Sequence, residues 1–346
     1  MNIKVGVVGL GFMGRRYVEF LQGLKGVELT AVCDIRRDIA DELAEMSGAQ
    51  VYAKPDDLAT SQHVDAVFVC TPEDSHLEVS LAAIDAGKAV MIEKPLAHSL
   101  NAARSIVEAG KTRGSILMVG HLLRFEPRWA AAKRAIESGD IGDIVSIATR
   151  RVGNVLDQEI LKGRTTIPLY YGVHDLDIVR WFADGEAKTI YASRRSGVLQ
   201  QSGYDIHDLY CAVLEFDTGI LATAELGWHV PAVALPAPTT GITVVGTQGW
   251  LKVEQADTGL QYWSESRLSS VHPVIDVTFW PESYSVPGGA LATELNHFLD
   301  CVRSKSQPII SPEDAFEALR LSLAMEASAN QQTVIHLAEF ESLEGI

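Results

Sequence analysis

Three short stretches carry residue types at spacings that could do chemistry. The first is Gly9-Leu-Gly-Phe-Met-Gly14, a G-x-G-x-x-G run. It follows the short apolar segment Asn2 to Val8 and precedes a segment, Arg15 to Leu24, with Tyr17, Phe20, Leu21 and Leu24 at helical spacing. Twenty positions after Gly14, at the end of the apolar run Glu28 to Cys33, stands Asp34. In this order the glycines have separate uses. Gly9 permits a tight turn, Gly11 lets the backbone approach a pyrophosphate, and Gly14 allows close packing of helix on strand. The helix N-terminus offers free N–H groups and a positive dipole end to the phosphates. Asp34 can accept hydrogen bonds from a ribose 2′-hydroxyl. The set predicts a dinucleotide site. Asp34 would repel a 2′-phosphate, which favours NAD. Arg36 and Arg37 follow at once, and an arginine here can accommodate that phosphate, so NADP stays possible.

The second stretch is Glu93-Lys94-Pro95, at the end of the apolar run Gly87 to Ile92. A lysine at a strand end beside a nicotinamide can hydrogen-bond a hydroxyl or carbonyl, and it can pass a proton if desolvation lowers its pKa. Pro95 restricts Lys94 to an extended backbone. The third stretch is Tyr170 to Trp181. Helical spacing puts His174, Asp177, Ile178 and Trp181 on one face. His174 would lie in a first helical turn, where the dipole disfavours the protonated ring and keeps the imidazole neutral, as a base requires. Asp177 would orient or charge-balance it.

The elements that must position these groups follow from the apolar pattern. Runs ending at Val8, Cys33, Cys70, Ile92 and Val119 alternate with helix-like segments Arg36 to Met46, His76 to Ala86 and Asn101 to Thr112. Strands apolar on both faces, separated by amphipathic helices, imply a parallel doubly wound sheet. Its ligands lie beyond the strand C-termini, where Asp34, Thr71, Glu93, Lys94 and His121 all fall. After Arg124-Phe-Glu-Pro127 the pattern changes. One helix, Arg128 to Ser138, precedes strand-like runs at Ile144 to Val152, Lys188 to Ser193, Leu209 to Phe216, Ile220 to Trp228, Ile242 to Val245 and Trp250 to Glu254. Asp217-Thr-Gly219 reads as a hairpin turn. Residues 1–123 thus form a dinucleotide-binding α/β domain. Residues 124–346 form an α+β domain with a largely antiparallel open sheet, and the C-terminal helices Ala290 to Val302 and Pro312 to Asn330 can pack back on the first domain. Ser311 would cap the latter helix, with Pro312 at its first position. Leu209 to Leu214 is apolar on both faces, so one face is expected to pack on helices and the other on a second subunit. Pro231 to Pro238 reads as a loop.

Bulk properties narrow the function classes. The chain has 346 residues, enough for about two domains of ~150 residues. Its net charge of −16 argues against nucleic acid or an anionic membrane as partner. The cysteines Cys33, Cys70, Cys211 and Cys301 are scattered, without C-x-x-C, and show no zinc or disulfide framework. No metal is expected. The N-terminus does not read as a signal peptide, and no apolar stretch approaches the ~20 residues of a spanning helix, so a cytoplasmic protein is expected.

Taken together, GLGFMG at Gly9 to Gly14, TPEDSH at Thr71 to His76, EKP at Glu93 to Pro95, the stretch Gly120 to Phe125, GVHDLD at Gly172 to Asp177 and the closing LNHFLDCV…PIISPEDAFEAL pattern resemble the Gfo/Idh/MocA family over essentially the whole chain. The resemblance implies a Rossmann domain joined to an α/β domain whose open sheet forms homodimers or homotetramers. It implies NAD or NADP and oxidation of a secondary alcohol on a sugar, polyol or related compound, or the reverse reduction. The family's EKP lysine corresponds to Lys94, holding the reacting hydroxyl, and its histidine to His174, the general base. Cofactor contacts are expected from Gly9, Gly11, Phe12, Met13, Gly14, Asp34, Arg36, Cys70, Thr71, Pro72, His76, Glu93 and Lys94. Substrate contacts are expected from Arg124, Arg151, Asn154 and His174, with Arg164 and His229 as further polar groups. One position departs from the pattern. Many relatives carry an Asp four residues before the histidine, where this chain has Tyr170. A phenol cannot supply that charge, so either Asp177 substitutes, or Tyr170 takes a proton-transfer role, or the base is weaker. Two other readings remain open at this point: a glycosidase or epimerase using NAD without net redox, and a non-catalytic cofactor-binding regulator.

Overall fold

The computed structural model describes residues 2–155, 161–230, 240–254, 279–283 and 286–343. The chain forms two compact units. The first joins Met1–Leu122 to Phe279–Glu317, and the second joins Leu123–Thr278 to Ala318–Ile346.

In the first unit, β1 (Ile3–Val8), β2 (Val27–Cys33), β3 (Gln50–Tyr52), β4 (Ala66–Val69), β5 (Ala89–Ile92) and β6 (Leu117–Val119) form one sheet in the order β3-β2-β1-β4-β5-β6. Every pairing is parallel. All residues of β4 and β5 are buried, as a sheet covered on both faces requires. Strand order reverses between β1 and β4, and their C-terminal ends lead into Gly9 and Cys70. That reversal is where a doubly wound sheet binds its ligand. Among the helices, α1 (Phe12–Gly23), α2 (Arg37–Ser47), α4 (His76–Asp85) and α5 (Leu100–Arg113) fall where the apolar spacing puts them. The edge strand β3 and the five-residue α3 (Pro55–Ala59) are not visible as a period, because QVY and PDDLA are short and half polar.

In the second unit, β7 (Ile144–Asn154), β8 (Ala187–Arg195), β9 (Leu209–Phe216), β10 (Leu221–Val230), β11 (Thr240–Gly246) and β12 (Trp250–Glu254) share a sheet with the edge strand Ile335–His336. The sheet is largely antiparallel; β10 pairs with β7 in parallel. Gly219, at φ +84, closes the β9–β10 hairpin, with its N–H donating to the Phe216 carbonyl. Along β9 the side chains alternate. Tyr210, Ala212, Leu214 and Phe216 are buried, whereas Cys211, Val213 and Glu215 face out. The segment Pro231 to Pro238 lies outside the described residues.

The helix Pro312–Gln331 begins as its sequence demands. Ser311 Oγ accepts from Asp314 N–H at 3.0 Å, and Asp314 Oδ2 accepts from Ser311 N–H at 3.3 Å, a reciprocal cap ahead of Pro312. Replacing Ser311 by Ala should cost about 1 kcal/mol, read as a lower denaturant midpoint, and Ser311→Asp should retain most of it.

Candidate active site

The glycine turn is shaped by two steric limits. Gly9 has φ +87, and a Cβ there would stand 2.6 Å from the Cys70 carbonyl and Thr71 nitrogen. A Cβ on Gly14 would collide with the Gly9 carbonyl oxygen. These backbones have no slack, so both positions exclude side chains. At Gly11 the reason differs. Nothing lies within 4 Å of a Cβ built there, which leaves open space in front of the turn. Gly11 is also the N-cap of α1 and supplies no side-chain acceptor, and the first turn of α1 carries no acid. Its N–H groups therefore remain suited to phosphate oxygens. Asp34, at the end of β2, accepts from Leu10 N–H at 2.6 Å and from Arg36 N–H at 2.8 Å. These bonds hold the carboxylate against the glycine turn. Thr71 Oγ1, after β4, is buried without a partner among the described residues. An open glycine, an uncapped helix start, an aimed acid and an unmet hydroxyl fit a dinucleotide.

The arginines around this mouth are engaged with neighbouring acids. Arg36 Nε lies 3.5 Å from Asp34, Arg37 pairs with Asp41 at 2.8 Å, and Arg15 pairs with Glu42 at 2.9 Å. Phe12 is 57% exposed and packs edge-on against Trp280, with the Arg16 guanidinium over both rings. Met13 is half-buried and Pro72 exposed. Two groups read as cofactor contacts turn inward. Burial pushes the Cys70 thiol well above its ordinary pKa. His76 is buried, with one ring nitrogen 2.9 Å from the Pro95 carbonyl and the other 2.9 Å from the Thr71 carbonyl. It pins the loop after β4 to the turn after β5. Burial pulls its pKa below the usual histidine value, and a neutral ring donates to one of those carbonyls.

That second turn holds Glu93, Lys94 and a cis Lys94–Pro95 bond. Glu93 is buried, and its Oε1 accepts from the Tyr17 hydroxyl on α1 at 2.5 Å. Burial pushes Tyr17 well above its ordinary value, with Glu93 reinforcing it, so the phenol stays a donor. Lys94, next along, is half-buried.

In the second unit, His174 lies in the helix Val173–Ala183, half-buried. The dipole argument for it does not hold. Ile167 and the π-helical turn Pro168–Gly172 already have helical backbone, and Tyr170 N–H donates to the Thr166 carbonyl. His174 therefore sits inside a continuous helical run, whose positive end is near Thr166 rather than at His174. Asp177 is also differently employed. Both its oxygens accept from Arg124, at 2.9 and 2.6 Å, and both residues are buried. Arg124, expected to reach substrate, thus balances Asp177 and lies over the Trp181 ring. Arg151 is the stronger substrate candidate. Its Nε donates to Asp175 at 2.5 Å, and Thr149 Oγ1 donates to the same carboxylate at 2.7 Å. Arg151 Nη2 remains buried without a partner among the described residues. Its guanidinium lies 5.7 Å from the Tyr171 ring centre, and Tyr170, Tyr171 and Trp228 form a cluster with centroids 5.3–5.5 Å apart. Trp228 Nε1 and His229 Nδ1 are also buried and unmet. Asn154 is half-buried and Arg164 exposed. Tyr171, Trp228 and Asp175 escape sequence reasoning. Aromatic residues read as core, and Asp175 differs from its neighbour Asp177 only in which face of the helix it takes.

Comparison with known proteins fits this geometry. Residues 3–121 match the model of the oxidoreductase family with an NAD-binding Rossmann fold, and residues 129–252 match the GFO/IDH/MocA C-terminal domain. The chain belongs to the Gfo/Idh/MocA family. It is thus a member of an oxidoreductase family whose Rossmann domain binds NAD. It is 34% identical to inositol 2-dehydrogenase 2 of Saccharopolyspora erythraea over 65% of this chain and 67% of that one. It is 28% identical to scyllo-inositol 2-dehydrogenase (NAD(+)) of Bacillus subtilis over 93% of both. The fold is shared with the crystal structure of scyllo-inositol dehydrogenase from Lactobacillus casei with bound NAD(H) and scyllo-inositol. That match has a TM-score of 0.81, 21% identity, and covers 98% of this chain and 100% of that chain. No described helix is long and apolar enough to cross a membrane.

The buried pair Arg124–Asp177 gives a stability prediction. Asp177→Asn leaves a buried guanidinium without its counter-charge and should destabilise the fold by roughly 3–5 kcal/mol in denaturant unfolding. The double change Arg124→Met with Asp177→Leu should recover much of that loss.

Proposed function

We propose that this chain oxidises a secondary alcohol of a polyol of the inositol kind, or a related sugar, with NAD as hydride acceptor. The observation that carries the reading is the placement of Lys94. It directly follows Glu93, which the Tyr17 hydroxyl ties to the cofactor-binding helix α1. A lysine fixed there is a hydrogen-bond donor at the strand edge where the ligand of such a sheet lies. In this reading NAD is held by the Gly9–Gly14 turn, the start of α1 and Asp34, and it supplies the hydride-accepting ring. Lys94 orients the reacting hydroxyl, and His174 takes its proton. Tyr170 stands where relatives carry an acid, and its ring packs on Trp228 and Tyr171. It contributes a wall and a hydroxyl rather than a charge. The aromatic cluster, with Arg151 Nη2 unpartnered among the described residues and its guanidinium beside the Tyr171 ring, suits a ring rich in hydroxyl acceptors. Relatives named as inositol dehydrogenases support the polyol. Four free cysteines suit a cytoplasmic setting.

The test is absorbance of NADH with a panel of inositols, sugars and sugar acids. Net NADH on a polyol is expected. Turnover without NADH would point to internal redox, and tight NAD binding with no turnover to a regulator. Lys94→Ala should lower kcat at least 100-fold while NAD still binds, and unchanged kcat would remove Lys94 from the mechanism. NAD should exceed NADP in kcat/KM, because in this reading Asp34 would repel a 2′-phosphate and its neighbouring arginines are paired with acids.

We also propose that the open sheet pairs with a second copy. Tyr191, Val213, Thr223, Ala148 and Thr243 form one row across five strands. Val213 is 51% exposed, and Leu221 and Trp250 more so. This row of Tyr, Val and Ala side chains with two threonines is a surface that a second copy would cover. Val213→Asp should shift the sedimentation coefficient of the assembly to that of a smaller species. A chain that sediments as a monomer before mutation would overturn the proposal.

A further inference from the structure

The helix Gly289–Ser304 brings a second carboxyl toward the Glu93–Lys94 turn: Phe298, one turn after Glu294, packs on Phe68, Phe68 packs on Tyr17, and the Tyr17 hydroxyl meets Glu93. Glu294, on the helix Gly289–Ser304, is 1% exposed, and Glu93 is 8% exposed. They differ in what meets them. Glu93 Oε1 accepts from the Tyr17 hydroxyl at 2.5 Å, and the Lys94 charge acts on it. Glu294 Oε1 is buried with no hydrogen-bond partner among the described residues. Tyr17 from α1 and Cys70 at the end of β4 face this pair, and both stay neutral, since burial pushes each well above its ordinary value. His121, after β6, is buried next to Gly120, whose α-carbon stands against Tyr17 and Glu93. Burial also pushes the Glu294 carboxyl well above the usual carboxylate range, and the Glu93 charge adds to that. Burial raises Glu93 as well, but Tyr17 and Lys94 pull it back. Two neighbouring buried carboxylates do not readily both ionise, and the proton goes to the one whose buried oxygen meets no donor among the described residues.

We propose that Glu93 and Glu294 hold one proton between them, resting on Glu294, so that a single negative charge stands beside Lys94. Glu294 is then a positioning residue. Its neutral carboxyl keeps the charge on Glu93, and Glu93 holds the Lys94 ammonium charged and aimed. The catalytic part of this inference rests on the reading in which Lys94 orients the reacting hydroxyl. The shared proton itself does not.

The proton has a spectroscopic signature. Infrared spectra of the NAD-bound protein at pH 7 should contain the C=O stretch of a protonated carboxyl. The band should move on 13C-glutamate labelling and vanish in Glu294→Gln. Stability supplies the second readout. A carboxyl whose folded pKa is raised contributes stability that is present below the unfolded value of about 4.3 and is lost as pH rises toward the folded value. Gln carries no such liability. The Tm of Glu294→Gln should therefore gain on that of the parent as pH is raised from 5 to 8. A merely structural role would leave that difference flat. No protonated-carboxyl band in the parent, a band that persists in Glu294→Gln, or a Tm difference independent of pH would each overturn the proposal. Unchanged turnover in Lys94→Ala would instead sink the role of Lys94 while leaving the band in place.

Discussion

The first unit depends on one close approach, the packing of Gly14 on the carbonyl of Gly9. No side chain fits between them, so α1 can lie across the turn after β1 only with hydrogen at that position. The consequences run outward from there. With α1 so placed, Gly11 opens onto free space, and Tyr17, further along the same helix, points its hydroxyl at Glu93. Asp34 reaches back to the Leu10 N–H across the same turn. The phosphate end and the reacting end of the site are therefore set by one helix. A displacement of α1 would be felt by both Asp34 and Lys94.

The parts of the site legible in the sequence are those fixed by backbone geometry. Glycine positions, the acid twenty residues on, and strand ends marked by Thr71 and Glu93 all follow from steric and periodic rules that act locally. The two sheets and most helices are legible for the same reason. What the sequence concealed are pairings between charged groups distant along the chain. Asp177 sits four residues from Trp181 and three from His174, yet its partner is Arg124. Asp175, two residues earlier, turns to Arg151 and Thr149. Both carboxylates are buried, and nothing in the local spacing says which arginine each will meet. The π-helical turn was equally hidden. One extra residue in a turn leaves no apolar signature, but it moved the helix start upstream and removed the dipole from His174.

The second unit handles charge differently from the first. Around Arg124 and Arg151, each buried cation has a carboxylate with matching geometry, and in Arg151 a single donor is left over. Such a group is costly to bury unless something completes it. A substrate oxygen can do so. Around Glu93 and Glu294 there are more acids than bases, and protonation rather than pairing restores balance. Ion pairs hold the second unit in shape, whereas the first unit keeps a group whose state depends on pH.

The first unit is not continuous in sequence. Its sheet ends at β6, but Glu294, Trp280 and the helix Gly289–Ser304 reach it from residues 279–317. During synthesis at the ribosome the whole parallel sheet emerges long before that helix does. Until then Phe68 lacks the Phe298 ring it packs against at 5.4 Å. Completion of the cofactor-binding unit thus depends on a segment made after the sheet of the second unit. A prematurely terminated chain would carry the full glycine motif and still lack the wall behind it.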